Sequence, residues 1–205
     1  MSTHTASLKP LALLAPVAVF ATRVCGLAVL AMAVLITVDI LVRSTLNTTL
    51  LSGGIGEISG YVLAIITAWG ASSALLARAH VRIDTLQLLL PRRLGRLADV
   101  IAILAFFVAS ALLTYVAWST FSRTASLGSH SMSPLAVPMV IPQGLWFAGL
   151  VFLTLVSAAV ALAGCAAVLR RDNSAAHGLI GPRSIEEEVE EQTAALGPLG
   201  SGVSR

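Results

Sequence analysis

Apolar residues fill four long runs of the chain, at about 24–42, 58–77, 97–121 and 143–169, and polar residues gather in the gaps between them. Each run is close to the roughly 20 residues, or longer, that a helix needs to cross the hydrocarbon core of a bilayer. Backbone polar groups in that core have no water to bond, so the runs are predicted as helices, which pair their N–H and C=O groups internally. The pattern therefore predicts an all-α integral membrane protein with four transmembrane helices. A shorter apolar run, Leu11 to Phe20, comes first and carries Pro16. It is expected to lie near the interface within a cytoplasmic N-terminal segment, residues 1–23. With no convincing cleavage site, and a longer apolar run following Arg23, a cleaved signal peptide is not expected.

The gap between the second and third runs holds the stretch Ala77 to Arg96, ARAHVRIDTLQLLLPRRLGR. Leu86, Leu90, Leu94 and Leu97 recur at spacings of four, four and three, which puts them on one helical face. Arg92, Arg96 and Asp99 fall on another. Pro91 ends one short helix or starts the next, so a short amphipathic helix is predicted on the cytoplasmic membrane surface, with arginines snorkelling toward lipid headgroups. Pro134, Pro138 and Pro142 lead into the fourth run, and Pro142 suits a first helical turn, where its missing N–H costs nothing. Beyond residue 169 the character changes to Gly, Pro, Ser and the run IEEEVEEQ. Residues 170–205 are predicted as a cytoplasmic acidic tail, largely disordered, with one short helix across Ser184 to Ala195.

Composition removes the soluble alternative: 57% of the residues are hydrophobic, 11% are charged, and the mean hydropathy is +0.89. A pI near 9.4 invites a nucleic-acid reading, but the basic residues are few, form no single face, and accompany only 5% aromatics. No nucleic-acid partner is expected. The charge instead sets orientation. With the 77–96 loop in the cytoplasm, eleven of the thirteen Lys and Arg lie inside and only Arg43 and Arg123 outside, which places both termini in the cytoplasm. Cys25 and Cys165 sit inside apolar runs with no metal-ligand spacing and are read as packing residues.

Few residues offer chemistry. Arg78, His80, Arg82 and Asp84 cluster, but one His and one Asp make a poor ligand set and no nucleophile is near, so membrane anchoring with local ion pairing is favoured. Asp39 is the one carboxylate well inside a run. It lies near the outer end with Arg43 one turn on, and a local ion pair accounts for both. Glu57 stands where the second helix begins, where a carboxylate favours the positive end of the helix dipole, a cap-type role. Gly53, Gly54 and Gly56 read as turn flexibility, since no phosphate-loop context surrounds them. Trp69 and Trp146, with Gly60, Gly70, Gly149 and Gly164, are assigned to packing or lipid contact. Two other membrane functions fit these residues less well. A haem-bearing anchor of a redox complex needs ligands inside the bundle, and all four histidines fall outside the runs. A self-sufficient four-helix exporter needs a deep acidic residue, and Asp39 and Glu57 are too near the outer surface.

An Ala- and Gly-containing second run, then Arg78, His80-Val81-Arg82-Ile83-Asp84, an apolar run and Leu90-Pro91, resembles the small membrane subunit of tripartite ATP-independent periplasmic (TRAP) transporters, the Q-type (DctQ-like) family. Asp39 with Arg43, the opening Glu57-Ile58-Ser59-Gly60-Tyr61 and the approach from Ser133-Pro134 to Pro142 agree with it, and the likeness covers about Val24 to Leu169. It implies a bacterial inner-membrane subunit that braces a large M-type membrane subunit. That large subunit moves an organic acid by a sodium-coupled elevator motion, and a P-type periplasmic solute-binding protein delivers the ligand. It implies no enzyme activity and no catalytic, cofactor or metal residue in this chain, sodium being handled by the large subunit. The candidate residues, for partner contact or for structure, are then Asp39, Arg43, Glu57, Trp69, Arg78, His80, Arg82, Asp84 and Pro91.

Overall fold

A computed structural model of the chain describes residues 4–50, 54–77, 92–169 and 193. Four helices make up most of them: α1 (His4–Leu46), α2 (Ile55–Leu76), α3 (Arg92–Leu127) and α4 (Val140–Leu169). Each holds a stretch long and apolar enough to cross a membrane, and no β-strand occurs among the described residues. The all-α, four-span architecture expected from the apolar runs is present. The surface helix expected before Pro91 and, Thr193 apart, the acidic tail lie outside the described residues.

Two boundaries differ from the sequence expectation. α1 is one helix of 43 residues, with Pro10 and Pro16 inside it and no break at Arg23. At 1.5 Å per residue it is about 65 Å long. A proline removes a single i→i−4 hydrogen bond, and the remaining bonds keep the rod continuous. α3 starts at Arg92, directly after Pro91, so Arg92, Arg93 and Arg96 form its first turns rather than a separate element.

Packing order differs from chain order. α1 packs on α2, α2 on α4 and α4 on α3, with α1 also reaching α4. The last helix is therefore the central one: 44% of its most apolar stretch is buried, against 11–17% for the other three. Pairs between α3 and α4 run in opposite senses, Ser110 with Ser157, Thr114 with Thr154, Phe121 with Phe147, so the two helices are antiparallel. Tyr61 with Met139 and Trp69 with Phe152 advance together, so α2 and α4 are parallel. One apolar cluster joins Ala18, Leu75, Ile103, Phe152, Val156 and Val160 from all four helices, and a second joins Ala68, Ala117, Leu150 and Leu153. Large apolar side chains elsewhere on α1 and α3, such as Leu27, Leu30, Leu112 and Val116, remain exposed.

Local backbone chemistry ends the helices cleanly. Gly128 adopts φ +57 after α3, and Ser129 N–H bonds Thr124 C=O at 3.3 Å, the glycine-terminated C-cap in which only a residue without Cβ turns left-handed at no steric cost. The chain then folds into a tight hairpin over Ser129–Met139. Ser131 N–H bonds Val137 C=O at 2.9 Å and Met139 N–H bonds Ser129 C=O at 3.0 Å. A turn from Ser133 to Ala136 closes it, with Pro134 in the position where its fixed φ is pre-set. Ala136 has φ +44, a left-handed conformation that costs a non-glycine residue roughly 1–2 kcal/mol.

Candidate partner-contact site

At the end of the bundle where α1 stops and α2 starts, Asp39 is 3% exposed yet fully paired. Arg43 Nη2 donates to its Oδ2 at 2.7 Å, and the Leu50 backbone N–H donates to Oδ1 at 3.0 Å. The i+4 pair expected from spacing is formed, and it does a second job: it ties the loop after α1 back onto the helix. Asn47, with φ +49, makes the turn that brings Leu50 there, a conformation Asn tolerates better than most residues. Because Oδ1 and Oδ2 both have donors, burial leaves no orphan charge on Asp39. The Arg43 side chain remains 58% exposed. It borders an open groove of about 510 Å³ lined by Ile36, Ile40, Ser44, Ile55, Gly56 and Ser59.

Glu57 is in the first turn of α2, but no side chain caps that helix and Gly54 occupies the N-cap. The cap-type role expected for Glu57 does not extend to a hydrogen bond on the helix's own N–H groups. Its Oε1 instead accepts from Tyr61 Oη one turn along, and Tyr61 Oη also lies 3.1 Å from Sδ of Met139, the last residue of the hairpin before α4. A phenol has one proton, and the carboxylate is the stronger acceptor, so the sulfur packs against the oxygen. The Ser133 and Ser131 hydroxyls stand close enough to act on the carboxylate, while its Oε2 is buried without a direct partner at hydrogen-bonding geometry. Glu57 therefore links α2 to the hairpin between α3 and α4, and Asp39 and Arg43 pair with each other rather than with it.

Trp69 resolves to packing. Its ring stacks on Phe152 at 5.6 Å and its Nε1–H donates to the Leu145 carbonyl at 3.0 Å. Gly149 makes this possible, since a Cβ there would meet Trp69 Cδ1 at 2.7 Å. Gly60 and Gly70, expected to serve the same purpose, face open space. Arg78, His80, Arg82, Asp84 and Pro91 lie outside the described residues.

Sequence reading missed the seam between α3 and α4. Ser110 and Ser157 hydroxyls meet at 2.9 Å, and Thr114 and Thr154 hydroxyls at 2.8 Å. Thr114 also reaches the Leu150 carbonyl at 3.1 Å. The signal was available as two hydroxyl pairs at helical spacing, Ser110/Thr114 and Thr154/Ser157. Above the seam Trp118, Phe121 and Phe147 form an aromatic cluster with centroids 5.5–6.2 Å apart.

Four helices long and apolar enough to cross a membrane, the last two joined by hydroxyl pairs and the loop after α1 tied back onto that helix, define a multi-pass membrane protein. Residues 32–167 match the family model described as tripartite ATP-independent periplasmic transporters, DctQ component, a match that runs from α1 through α4. The chain belongs to this family, and is thus a small permease subunit of a tripartite transporter, a class of transporter components rather than enzymes. Comparison with curated proteins and with solved structures gave no match.

Proposed function

We propose that this subunit braces the large M-type membrane subunit of a sodium-coupled TRAP transporter in the bacterial inner membrane, with both termini in the cytoplasm. The large subunit carries an organic acid delivered by a P-type periplasmic binding protein, and it handles the sodium. This chain holds no cofactor. The observation that best supports the reading is the hydroxyl seam. Ser110, Thr114, Thr154 and Ser157 bond to the neighbouring helix, as suits a static support, rather than lining a path for a polar substrate. Exposed apolar side chains along α1 and α3 supply surface for the larger subunit and for lipid. On this reading Arg43, beside its open groove, contacts the large subunit on the outer side, and Arg78, His80, Arg82, Asp84 and Pro91 engage it or the lipid surface on the inner side. Asp39, Glu57 and Trp69 hold those contacts in place. Reconstitution into vesicles tests the proposal. Uptake is expected only when the chain is combined with its large subunit, binding protein and an inward sodium gradient. Transport by the chain alone would overturn the accessory role.

A further inference from the structure

α3 runs past the helix that supports it. The pairs Ser110 with Ser157, Thr114 with Thr154 and Phe121 with Phe147 set its register against α4, each step back along α3 being matched by a step forward along α4. Carried down the seam, that register brings Leu169, the last residue of α4, level with Asp99. Among the described residues, Arg92 to Ala98 therefore project about two turns, roughly 10 Å, beyond α4. The projecting turns read RRLGRLA: three arginines, no acidic residue before Asp99, and Leu94 and Leu97 both more than half exposed. The chain that leaves α4 at the same end is of the opposite kind. Five of the six residues Glu186–Glu191 are glutamate, and no Lys or Arg occurs from Ser184 to Ser204. Ile185, Val189 and Leu196 recur at spacings of four and seven, which share one helical face, and Thr193 within that stretch is helical.

We propose that the acidic segment Ser184–Leu196 docks on the projecting turns of α3 in the same molecule, its glutamates toward Arg92, Arg93 and Arg96 and its apolar stripe toward Leu94 and Leu97. Charge and apolar pattern both select this occupant, since each surface carries what the other lacks. Proximity selects it as well. Residues 170–183 join the segment to Leu169, and a coil of that length spans about 20 Å, twice the length of the projection beside which it starts. Such a tether holds the glutamates at an effective concentration on the order of millimolar. An anionic leaflet attracts the arginines but repels the glutamates, so it competes for one half of the pair only. Tail and projection leave the bundle at one end whichever way the bundle faces, so neither the orientation nor the function proposed above is needed for the docking.

The test uses the full chain in detergent and in nanodiscs of phosphatidylglycerol, with Cys25 and Cys165 replaced by Ala and new thiols placed by Leu94→Cys and Val189→Cys. Mild oxidation is expected to join the two thiols within one molecule, read by mass spectrometry of the linked peptides. Replacing Glu186, Glu187, Glu188, Glu190 and Glu191 with Gln is expected to lower the yield about fivefold, as is salt of about 1 M, which screens charges beyond about 3 Å. Changing Arg92, Arg93 and Arg96 to Glu should lower it likewise, and Lys at the five tail positions should then restore it. Reversing charge at a helix start disturbs membrane insertion, so the glutamine tail carries the test by itself where the reversed helix does not fold. Crosslinks between two molecules, a yield indifferent to the glutamine tail, failure of the lysine tail to restore a folded reversed helix, or docking that vanishes in the nanodiscs would each overturn the assignment.

Discussion

A methyl group added at Gly149 would lie 2.7 Å from Trp69 Cδ1 and 2.9 Å from Ala68 Cβ, with no flexible side chain to give way. Gly149→Ala is therefore expected to destabilise the detergent-solubilised protein by about 1–3 kcal/mol, the usual cost of overpacking, read as a lower thermal midpoint. Gly60→Ala and Gly70→Ala, which meet nothing within 4 Å, should stay within about 0.5 kcal/mol of the parent. The same scale governs Asp39. Removing Arg43 leaves a carboxylate that is only 3% exposed with one donor, Leu50 N–H. Because Arg43 is itself more than half exposed, Arg43→Ala is expected to cost about 1–2 kcal/mol rather than the 3–5 kcal/mol of a fully buried pair. In a thermal-unfolding double-mutant cycle, Asp39→Asn with Arg43→Ala should cost less than the two single changes together. Unchanged complex assembly and uptake in Arg43→Ala would restrict the residue to this local pairing.

Among the elements, the α3–α4 seam joins hydroxyls that have no water to turn to. Interhelical hydrogen bonds in membranes average about 0.6 kcal/mol and reach about 1.7 kcal/mol. Thr114→Val breaks contacts to both Thr154 and Leu150, so its unfolding penalty is expected near the upper end of that range, and larger than that of Ser157→Ala. Equal penalties would mean that the carbonyl contact carries nothing. The helices themselves could be read from the apolar runs, as could the Asp39–Arg43 pair, because both depend on spacing along one segment. What stayed hidden depends on which helices meet. Gly60, Gly70 and Gly149 look alike in sequence, and only the parallel placement of α2 beside α4 puts one of them against Trp69. Glu57 read as a cap because its neighbours in sequence were known and Ser131, Ser133 and Met139, more than seventy positions away, were not. Leu11 to Phe20 reads as a run apart because Arg23 divides it from the longer one, yet α1 passes through Arg23 unbroken.

For the whole molecule, the proposed orientation makes the hairpin and the tail lie on opposite sides of the membrane. With Cys25 and Cys165 replaced, a membrane-impermeant maleimide applied to spheroplasts is expected to label Met132→Cys and to leave Ser201→Cys unlabelled until the membrane is opened. The reverse pattern would invert the topology. The central place of α4 has a further consequence, for biogenesis. Ribosomes deliver α4 last, so until it inserts, the hydroxyls of Ser110 and Thr114 and the ring of Trp69 lack their eventual neighbours. α1 and α2 can meet early, but α3 must wait in lipid as a separate rod, because its main packing partner does not yet exist. A chain cut before Val140 would thus hold three inserted helices and no bundle, and quality-control proteases would meet it as an unassembled protein.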